Sequence, residues 1–323
     1  MTTILVTEPV HDDGLNLLEK NGFTLVRKWA LAAEELAEHF QNIEGIFVRT
    51  GTLTADFMAQ MPKLKIVAKH GVGCDTIDVA YARAHNITVA ITSDGNAPSV
   101  AEHTLMFMLN CAKTPVHMDN IVRTDYSQRT SIKAFDLGAR TVLILGYGRI
   151  GTKVAALCKA FGMRVLIADE KFGDAVKEQD GFPIIHDLNE GLAQADFLTV
   201  HVPLTDKTHH IIDKKRLMKM PKGAYVINCA RGGIIDEEAV RDLTKSGHLA
   251  GAGFDVYSVE PIVKTNPLLE AEHCWLSPHT AAFTAESLKR MSVQSAQNII
   301  DQFNGGVPAR NIYALEVYSP DHA

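Results

Sequence analysis

The sequence predicts an α/β protein of two units, each built on a parallel sheet. Its 323 residues are enough for about two domains, and 46% are hydrophobic while 22% are charged, so a large core can be buried. Short β-branched runs alternate with longer amphipathic stretches from the first residues onward, which is typical of βα units. A long helical stretch interrupts this alternation, which resumes after residue 140.

Each predicted element follows from a local pattern. Apolar runs predict strands at residues 3–6, 23–26, 45–48 and 65–68, and then at 141–145, 164–168, 197–200, 224–227 and 250–254. Between the two groups the pattern predicts one connector helix over Ser99–Arg123. A second long helix is predicted over Ala285–Phe303, because Gly305 and Gly306 are typical of a helix C-terminus. We expect the tail from Tyr318 to be frayed.

The composition excludes several classes of protein. Lys and Arg number 32 and Asp and Glu number 38, so the net charge of −6 offers no general attraction for nucleic acid or anionic lipid. The N-terminus lacks the basic and apolar regions of a secretory signal, and no apolar run is long enough to span a bilayer. The five cysteines show no CxxC spacing, which argues against a zinc site or a disulfide framework. We expect a soluble cytoplasmic protein that binds no nucleic acid, membrane or metal.

A glycine-rich turn follows the predicted strand 141–145 and leads into a helical stretch. Gly146, Gly148 and Gly151 match GxGxxG, whose glycines make the tight turn, admit a pyrophosphate and let the helix pack on the strand. Asp169 ends the next strand at about the 20-residue spacing of an acid that binds the adenosine ribose. The pattern predicts a dinucleotide site, and its acids favour NAD over NADP. We interpret Glu170 as a solvated surface acid.

Polar side chains also follow the later predicted strands. Arg231 follows the run 224–227, Asp255 and Glu260 follow the run 250–254, and His279 comes further along in LSPHTAA. Ligands bind at this carboxyl edge in open α/β sheets. Arg can clamp a carboxylate, His can exchange a hydroxyl proton, and Glu can hold the imidazole tautomer, as hydride transfer to and from a hydroxy acid requires. Taken singly, each is also compatible with a structural role, as a surface His, a turn acid or an ion-paired Arg.

Several separated segments, taken in order, resemble the D-isomer-specific 2-hydroxyacid dehydrogenases. They are HGVGCDTID from His70, NAPSVAE from Asn96, LGYGRIG from Leu145, HVPLT from His201, NCARGG from Asn228, GFDVYSVEP from Gly253 and the pair Pro278–His279. The resemblance implies two Rossmann- or flavodoxin-like doubly wound parallel-sheet domains with a cleft between them. Residues 1–98 plus 285–323 would form a discontinuous substrate-binding domain, and residues 99–284 the NAD-binding Rossmann domain. The family also implies a homodimer.

The resemblance further implies roles for individual residues. Arg231 would clamp the substrate carboxylate, His279 would act as acid and base, and Glu260 would be its partner. The backbone at Val72 and Gly73 would bind the substrate carboxylate as well. The residues implied in cofactor binding are Gly146, Gly148, Arg149, Ile150 and Gly151 in the turn, Asp169, His201, Val202 and Pro203 on the adenosine side, and Cys229, Ala230, Asp255 and His279 at the nicotinamide.

The substrate is less narrowly defined. FVRTGTLT, from Phe47, is similar to the phosphoglycerate-type branch, in which an Arg reaches the distal anionic group, so Arg49 is the candidate for that role. HTAAFT, from His279, is similar instead to D-lactate dehydrogenases. The candidate substrates are 3-phosphoglycerate, hydroxypyruvate, glyoxylate and pyruvate, with NAD as the cofactor.

We interpret His70 as a packing residue. The chain ends soon after the dehydrogenase core, so we expect activity without a small regulatory domain.

Proteins with two other functions have sequences that resemble this family. A phosphite-type dehydrogenase would keep Arg231, Glu260 and His279 but act on an inorganic anion, whereas the formate type usually has Gln in place of Glu260. A non-enzymatic, NAD-sensing corepressor-like protein would bind partner peptides, and its catalytic residues need not be intact. The sequence therefore favours an NAD-dependent oxidoreductase acting on a D-2-hydroxy acid or 2-keto acid.

Overall fold

The computed structural model describes residues 2–313, which alternate between strands and helices over most of their length. In chain order the strands are β1 Thr3–Val6, β2 Thr24–Arg27, β3 Ile43–Val48, β4 Ile66–Lys69, β5 Thr88–Ala90, β6 Thr141–Leu145, β7 Arg164–Ala168, β8 Glu178–Gln179, β9 Phe182–Pro183, β10 Phe197–Val200, β11 Ala224–Asn228, β12 Leu249–Phe254 and β13 Cys274–Leu276. The expectation for the tail from Tyr318 lies outside the described residues.

The helices fill the intervals between these strands. They are α1 Asp12–Lys20, α2 Ala33–His39, α3 Ala55–Ala59, α4 Val79–Ala84, α5 Ala97–Lys113, α6 Pro115–Thr124, α7 Arg149–Ala160, α8 Leu188–Leu192, α9 Lys214–Leu217, α10 Glu237–Lys245 and α11 Ala285–Asn304. In the described part of the chain, no helix combines the length and the apolar character needed to cross a lipid bilayer.

The chain forms two compact units that divide between Asn96 and Ala97 and between Ala281 and Ala282. We call the part up to Asn96, with the described residues from Ala282 on, the first unit, and Ala97–Ala281 the second unit. The sequence-based divisions, after residues 98 and 284, fall slightly later than these. α11 belongs to the first unit, where the Ser295 hydroxyl donates to the carbonyl of Lys69 at 3.0 Å.

Each unit contains a parallel sheet of the doubly wound type, as the sequence predicted. The strand order is β2-β1-β3-β4-β5 in the first unit and β13-β12-β11-β10-β6-β7 in the second. The order reverses between β1 and β3 in one sheet and between β6 and β10 in the other, which is the flavodoxin-like arrangement. Strands such as β4 and β10 are buried along their whole length, which explains why they appear in sequence as continuous apolar runs.

The prediction of a single connector helix was wrong. The helical stretch consists of α5 and α6, which are separated by Thr114 in the left-handed conformation, with φ 46° and ψ 52°. Pro115 is the first residue of α6, and a proline disfavours the α conformation in the residue before it. The helix therefore breaks at the residue that precedes this proline.

The short edge strands are the other elements that the sequence did not predict. β5 and β13 have three residues each, and β8 and β9 have two each and form a separate antiparallel ribbon. Runs this short carry no measurable periodicity. β5 and β13 adopt the strand conformation by pairing with a longer neighbour, as in the register of β13 with β12, whereas β8 and β9 pair only with each other among the named strands.

Candidate active site

The strand-order reversal of the second sheet brings two turns together at its carboxyl edge. Gly146 follows β6 with φ 97°, and His201 follows β10 and donates its backbone N–H to the Leu145 carbonyl at 2.7 Å. A Cβ atom on Gly146 would lie 2.6 Å from the His201 carbonyl oxygen, so the close approach of the turns requires glycine. Ligands of open α/β sheets bind at such a reversal.

The start of α7 is open at Gly148 and packed against the glycine turn at Gly151. A Cβ atom on Gly151 would lie 2.0 Å from the Gly146 carbonyl oxygen, so the helix packs directly on the turn. At Gly148, the residue that precedes the helix, no heavy atom of the described chain other than those of the glycine and its two neighbours lies within 4 Å of the corresponding position. The first helical turn, which includes Arg149 and Ile150, presents N–H groups beyond the intrahelical ladder and attracts anions. This end of the helix can therefore accept a pyrophosphate.

Asp169 lies directly after β7 and holds the glycine turn. Its Oδ2 accepts the Tyr147 N–H at 2.6 Å, and its Oδ1 accepts the Lys171 N–H at 3.0 Å. The Lys171 ammonium lies 3.7 Å from Oδ2 of Asp169 and also donates to the Tyr147 carbonyl. Sequence reasoning did not single out Lys171, which adds a positive charge beside the acid. Glu170 is exposed, in keeping with its interpretation as a surface acid.

His201 contributes a buried imidazole beside this turn. Its Nε2 lies 3.0 Å from the Thr199 hydroxyl, whereas its Nδ1 is buried and has no partner within the described residues. Burial lowers the pKa of His201 to about 3, so the ring is neutral. Val202 and Pro203 follow as half-buried residues. A neutral ring with an unsatisfied nitrogen is compatible with an uncharged polar ligand group here.

The structure joins His279 directly to Glu260. His279 Nδ1 lies 2.6 Å from Oε2 of Glu260, and the other carboxylate oxygen accepts the Tyr257 N–H at 3.0 Å. The imidazole is 51% exposed. Because Nδ1 donates to the carboxylate, Nε2 is the nitrogen that can exchange a proton with a ligand.

Glu260 is held in the ionised form. Burial acts to raise its pKa, but the hydrogen bonds from His279 and the Tyr257 amide, together with the positive charges of His279 and Arg231, lower the pKa below its usual value. At neutral pH the carboxylate is therefore negative, and it accepts the hydrogen bond from the His279 ring.

Arg231 follows β11 in a turn that is tied to the Glu260 segment. The buried Asn228 amide donates to the Arg231 carbonyl at 2.8 Å, and its oxygen accepts the Ala230 N–H at 3.0 Å. Arg231 Nη1 donates to the Ala230 carbonyl at 2.7 Å. A Cβ atom on Gly232 would lie 1.9 Å from the Tyr257 carbonyl, so glycine lets the two segments touch. Arg231, Glu260 and His279 thus belong to one group of contacting turns.

Asp255 supports the turn that carries His279. Its carboxylate is 1% exposed and accepts the N–H groups of Thr280 and Ala281 at 2.8 and 2.9 Å, while its carbonyl accepts the His279 N–H at 2.8 Å. His279 itself has a left-handed φ of 53°. The turn therefore donates several of its N–H groups to one buried acid. Cys229 is buried nearby, and burial raises the pKa of its thiol, so it stays protonated.

Glu237 is a structural residue of the site that the sequence did not reveal. It is 5% exposed, and its carboxylate accepts the Ser258 N–H at 2.6 Å and the Asn266 side-chain amide at 2.8 Å. These two bonds fasten both ends of the segment that contains Glu260. In sequence Glu237 is an acid in the first turn of α10, where a solvent-facing acid is ordinary, so nothing distinguishes it.

Arg49 lies in the first unit, at the strand-order reversal of that sheet. Glu8, after β1, accepts the N–H groups of Arg49 and Thr50 at 2.9 and 3.1 Å and also that of Gly51. Burial acts to raise the pKa of Glu8, but its hydrogen bonds lower it, so the acid is ionised. The Arg49 guanidinium lies 5.0 Å from the centre of the Phe283 ring. Arg49 is thus presented by a firmly held turn.

The other predicted residues of the first unit follow β4. Val72 and Gly73 are half-buried in the turn, and Val72 packs on the apolar core of this unit. His70 is 5% exposed and donates from Nε2 to the Leu288 carbonyl at 3.1 Å. Burial lowers the pKa of His70 to about 4, so it is neutral and packed, as we interpreted it.

Comparison with known proteins identifies the same family in both sequence and structure. Residues 105–281 match the family model of the D-isomer specific 2-hydroxyacid dehydrogenase NAD binding domain. The chain is 33% identical to a hydroxypyruvate reductase of Thermotoga maritima over 92% of this chain and 97% of that protein. A solved glyoxylate reductase from Paecilomyes thermophila has a TM-score of 0.85 at 25% identity, covering 98% of this chain and 99% of that one.

A second group of relatives is longer than this chain. A D-3-phosphoglycerate dehydrogenase of Methanocaldococcus jannaschii is 38% identical over 93% of this chain, but the match covers 57% of that protein. The chain spans between 48% and 60% of the length of the first D-3-phosphoglycerate dehydrogenases that it matches.

The role of Glu237 yields a prediction about stability. Glu237→Gln replaces one acceptor oxygen by an amide that donates, and it removes a buried negative charge that two donors face. We expect the free energy of unfolding to fall by about 2–3 kcal/mol, measured by urea denaturation. Glu238→Gln is the matched control, because Glu238 is the adjacent, exposed acid, and it should change the free energy by less than about 0.5 kcal/mol. Equal values for the two variants would contradict the assignment.

Proposed function

The chain belongs to the D-isomer specific 2-hydroxyacid dehydrogenases, and we propose that it transfers hydride between NAD and C2 of a D-2-hydroxy acid or the matching 2-keto acid. The observation that carries this proposal is the 2.6 Å contact between His279 Nδ1 and Glu260, on turns that touch the Arg231 turn. An oriented imidazole and a guanidinium are the two groups that proton exchange on a carboxylate-bearing substrate needs.

The residues of the second sheet fit NAD. Gly148 leaves open space at the start of α7, where a pyrophosphate would bind, and Asp169, directly after β7, would bind the adenosine ribose. His201, Val202 and Pro203 would line the adenosine side, and Cys229, Ala230 and Asp255 the nicotinamide side. When bound, NAD supplies the hydride chemistry.

The protein's own residues handle the proton and the carboxylate. In the direction of oxidation His279 would accept the hydroxyl proton at Nε2, and in the direction of reduction it would return it. The ionised Glu260 stabilises the imidazolium that forms between these events. Arg231 would clamp the substrate carboxylate with its planar fork and polarise the adjacent carbonyl oxygen.

We propose 3-phosphoglycerate as the leading substrate, with Arg49 binding its distal phosphate and the Val72–Gly73 backbone its carboxylate. Support comes from the position of Arg49 at a strand-order reversal and from the Glu8 hydrogen bonds that hold its turn. The D-3-phosphoglycerate dehydrogenase of Methanocaldococcus jannaschii is 38% identical to this chain, compared with 33% for the hydroxypyruvate reductase of Thermotoga maritima. Hydroxypyruvate is the second candidate, because the relative named for it matches over nearly its full length. Glyoxylate and pyruvate stay among the substrates to be assayed.

We also propose that two copies associate and that the protein acts in the cytoplasm. Ile121 is the buried residue of α6, whereas Val116 and Val122 on the same helix are 62% and 66% exposed. A ten-residue helix is marginal without packing, so a second copy would supply the missing apolar contacts. A reducing compartment suits a chain whose cysteines lack the spacing of a disulfide framework.

Loss of the acid/base tests the proposed reaction. In assays of NADH oxidation with hydroxypyruvate, glyoxylate and pyruvate, and of NAD reduction with 3-phosphoglycerate, we expect His279→Ala to lower kcat by about 10²–10⁴-fold. Arg231→Lys should lower kcat/KM by about 10–100-fold, because lysine lacks the fork. NADH fluorescence titration should show retained cofactor binding. Arg123→Lys, an exposed position, is the control. Unchanged turnover in His279→Ala contradicts the mechanism.

Asp169 is expected to discriminate between the two nicotinamide nucleotides. Asp169→Ser removes a negative charge that would repel the 2′-phosphate of NADP, so the ratio of kcat/KM for NAD to that for NADP should fall about tenfold or more. Asp174→Asn, a change at a fully exposed acid, should leave the ratio unchanged. A constant ratio in Asp169→Ser means that another group reads the ribose.

Arg49 is expected to act on substrates with a distal anion. Arg49→Ala should lower kcat/KM for 3-phosphoglycerate about 10–100-fold more than that for glyoxylate, which has no distal group, because a charge-assisted bond is lost. Arg27→Ala, which removes a partly exposed arginine of the same unit that pairs with Glu19, should affect both substrates equally and slightly. Equal losses for both substrates in Arg49→Ala remove the proposed role.

A further inference from the structure

A row of polar side chains extends from α5 to the acid beneath the His279 turn. His103, on α5, has its Nε2 2.8 Å from the hydroxyl oxygen of Ser277, and this hydroxyl lies 2.5 Å from Oδ1 of Asp255. His103 Nε2 is 3.7 Å from the same carboxylate oxygen. The side chain of His103 is 16% exposed and that of Asp255 is 1% exposed. The three groups therefore interact with little competition from water.

The direction of these hydrogen bonds follows from the chemistry of the groups. A carboxylate only accepts, so the Ser277 hydroxyl gives its one proton to Asp255. The hydroxyl oxygen must then accept from His103, which places a proton on Nε2. Burial lowers the pKa of His103 more than the nearby Asp255 raises it, so the ring is neutral and its Nδ1 is unprotonated. Phe107 packs edge-on against the ring, with centroids 4.8 Å apart, and limits its rotation.

The same carboxylate supports the segment that carries the acid/base. Asp255 accepts the N–H groups of Thr280 and Ala281, the two residues directly after His279. A non-glycine residue in the left-handed conformation costs about 1–2 kcal/mol, so His279 keeps its φ of 53° only while its neighbours are held. The hydrogen bond of Ser277 to Asp255 ties the start of this segment to the acid that holds its end.

We propose that His103 and Ser277 are positioning residues for His279, acting through Asp255. The His103 donor sets the rotation of the Ser277 hydroxyl, the hydroxyl sets the Asp255 carboxylate, and the carboxylate fixes the backbone from which the His279 ring extends toward Glu260. The order of the groups also excludes Ser277 as a nucleophile, since its proton is given to the acid and not to an imidazole. The proposal rests on the proposed function for the role of His279.

Matched substitutions separate this role from simple packing. His103→Leu removes the donor and Ser277→Ala removes the middle hydroxyl, whereas His103→Gln and Ser277→Thr keep a donor and a hydroxyl. His248→Leu and Ser246→Ala are controls of the same residue types, because those side chains bond backbone carbonyls of the second unit, at Leu217 and Leu243, and neither belongs to the proposed site. All six variants and the unaltered protein are compared as full-length chains.

Two measurements are made on each variant. Hydrogen exchange of the Thr280 and Ala281 amides, in protein without cofactor, reports the turn independently of activity. We expect this exchange to be at least tenfold faster in His103→Leu and Ser277→Ala. In steady-state kinetics with NADH and the best keto acid, kcat should fall about 10–100-fold in these two variants, while KM for NADH changes less than threefold. The Gln and Thr variants should recover kcat to within about threefold of the unaltered protein.

The outcomes distinguish this proposal from the proposed function. Unchanged amide exchange in both His103→Leu and Ser277→Ala overturns the positioning role, and so does an equal loss of kcat in the Gln and Thr variants, which would indicate packing. If one of the two variants does not fold, the other still tests the row, because it interrupts the same hydrogen bonds. An unaltered protein without turnover on any substrate overturns the proposed function, while the exchange measurement still tests the positioning of the turn.

Discussion

Parallel strand pairing is the constraint from which the candidate site follows. When all strands of a sheet point the same way, every turn that follows a strand lies at one edge. In the second sheet this edge collects the turns after β6, β7, β10, β11, β12 and β13. Residues far apart in the chain, such as Gly146, Arg231 and His279, reach that edge without any element dedicated to bringing them there.

Acidic side chains hold these turns in place. Asp169, Asp255, Glu237 and Glu8 each accept backbone N–H groups from a neighbouring turn, at distances mostly between 2.6 and 3.1 Å. Turns after parallel strands carry N–H groups that no ladder satisfies, and a carboxylate can accept several of them at once. Charge-assisted bonds of this kind are about twice as strong as neutral ones. The acids in this protein therefore do more than create a site: they make its backbone rigid.

Rigidity of the backbone matters because the reactive ring is exposed. The His279 imidazole is half accessible, and its orientation comes from one bond to Glu260 and from the turn beneath it. A pre-organised ring loses less freedom when a substrate binds than a mobile one would. The turn that carries His279 is supported by Asp255, Ser277 and His103. The segment that carries Glu260 is supported by Glu237.

The sequence by itself determined the doubly wound parallel-sheet class, the family and the NAD-binding character. Those features lie in local signals, such as continuous apolar runs, GxGxxG and an acid at the end of the next strand. The helix break at Thr114 also has a local sequence signal, Pro115, although the helical periodicity on either side obscured it. The catalytic and binding assignments of single residues stay predictions. Only the tertiary structure decided which acids hold which turns, as with Glu8 and Glu237, and which polar side chains support an acid, as with Ser277 and His103. Their partners are distant in sequence, and a polar side chain has the same local sequence pattern whether it faces water or a buried partner.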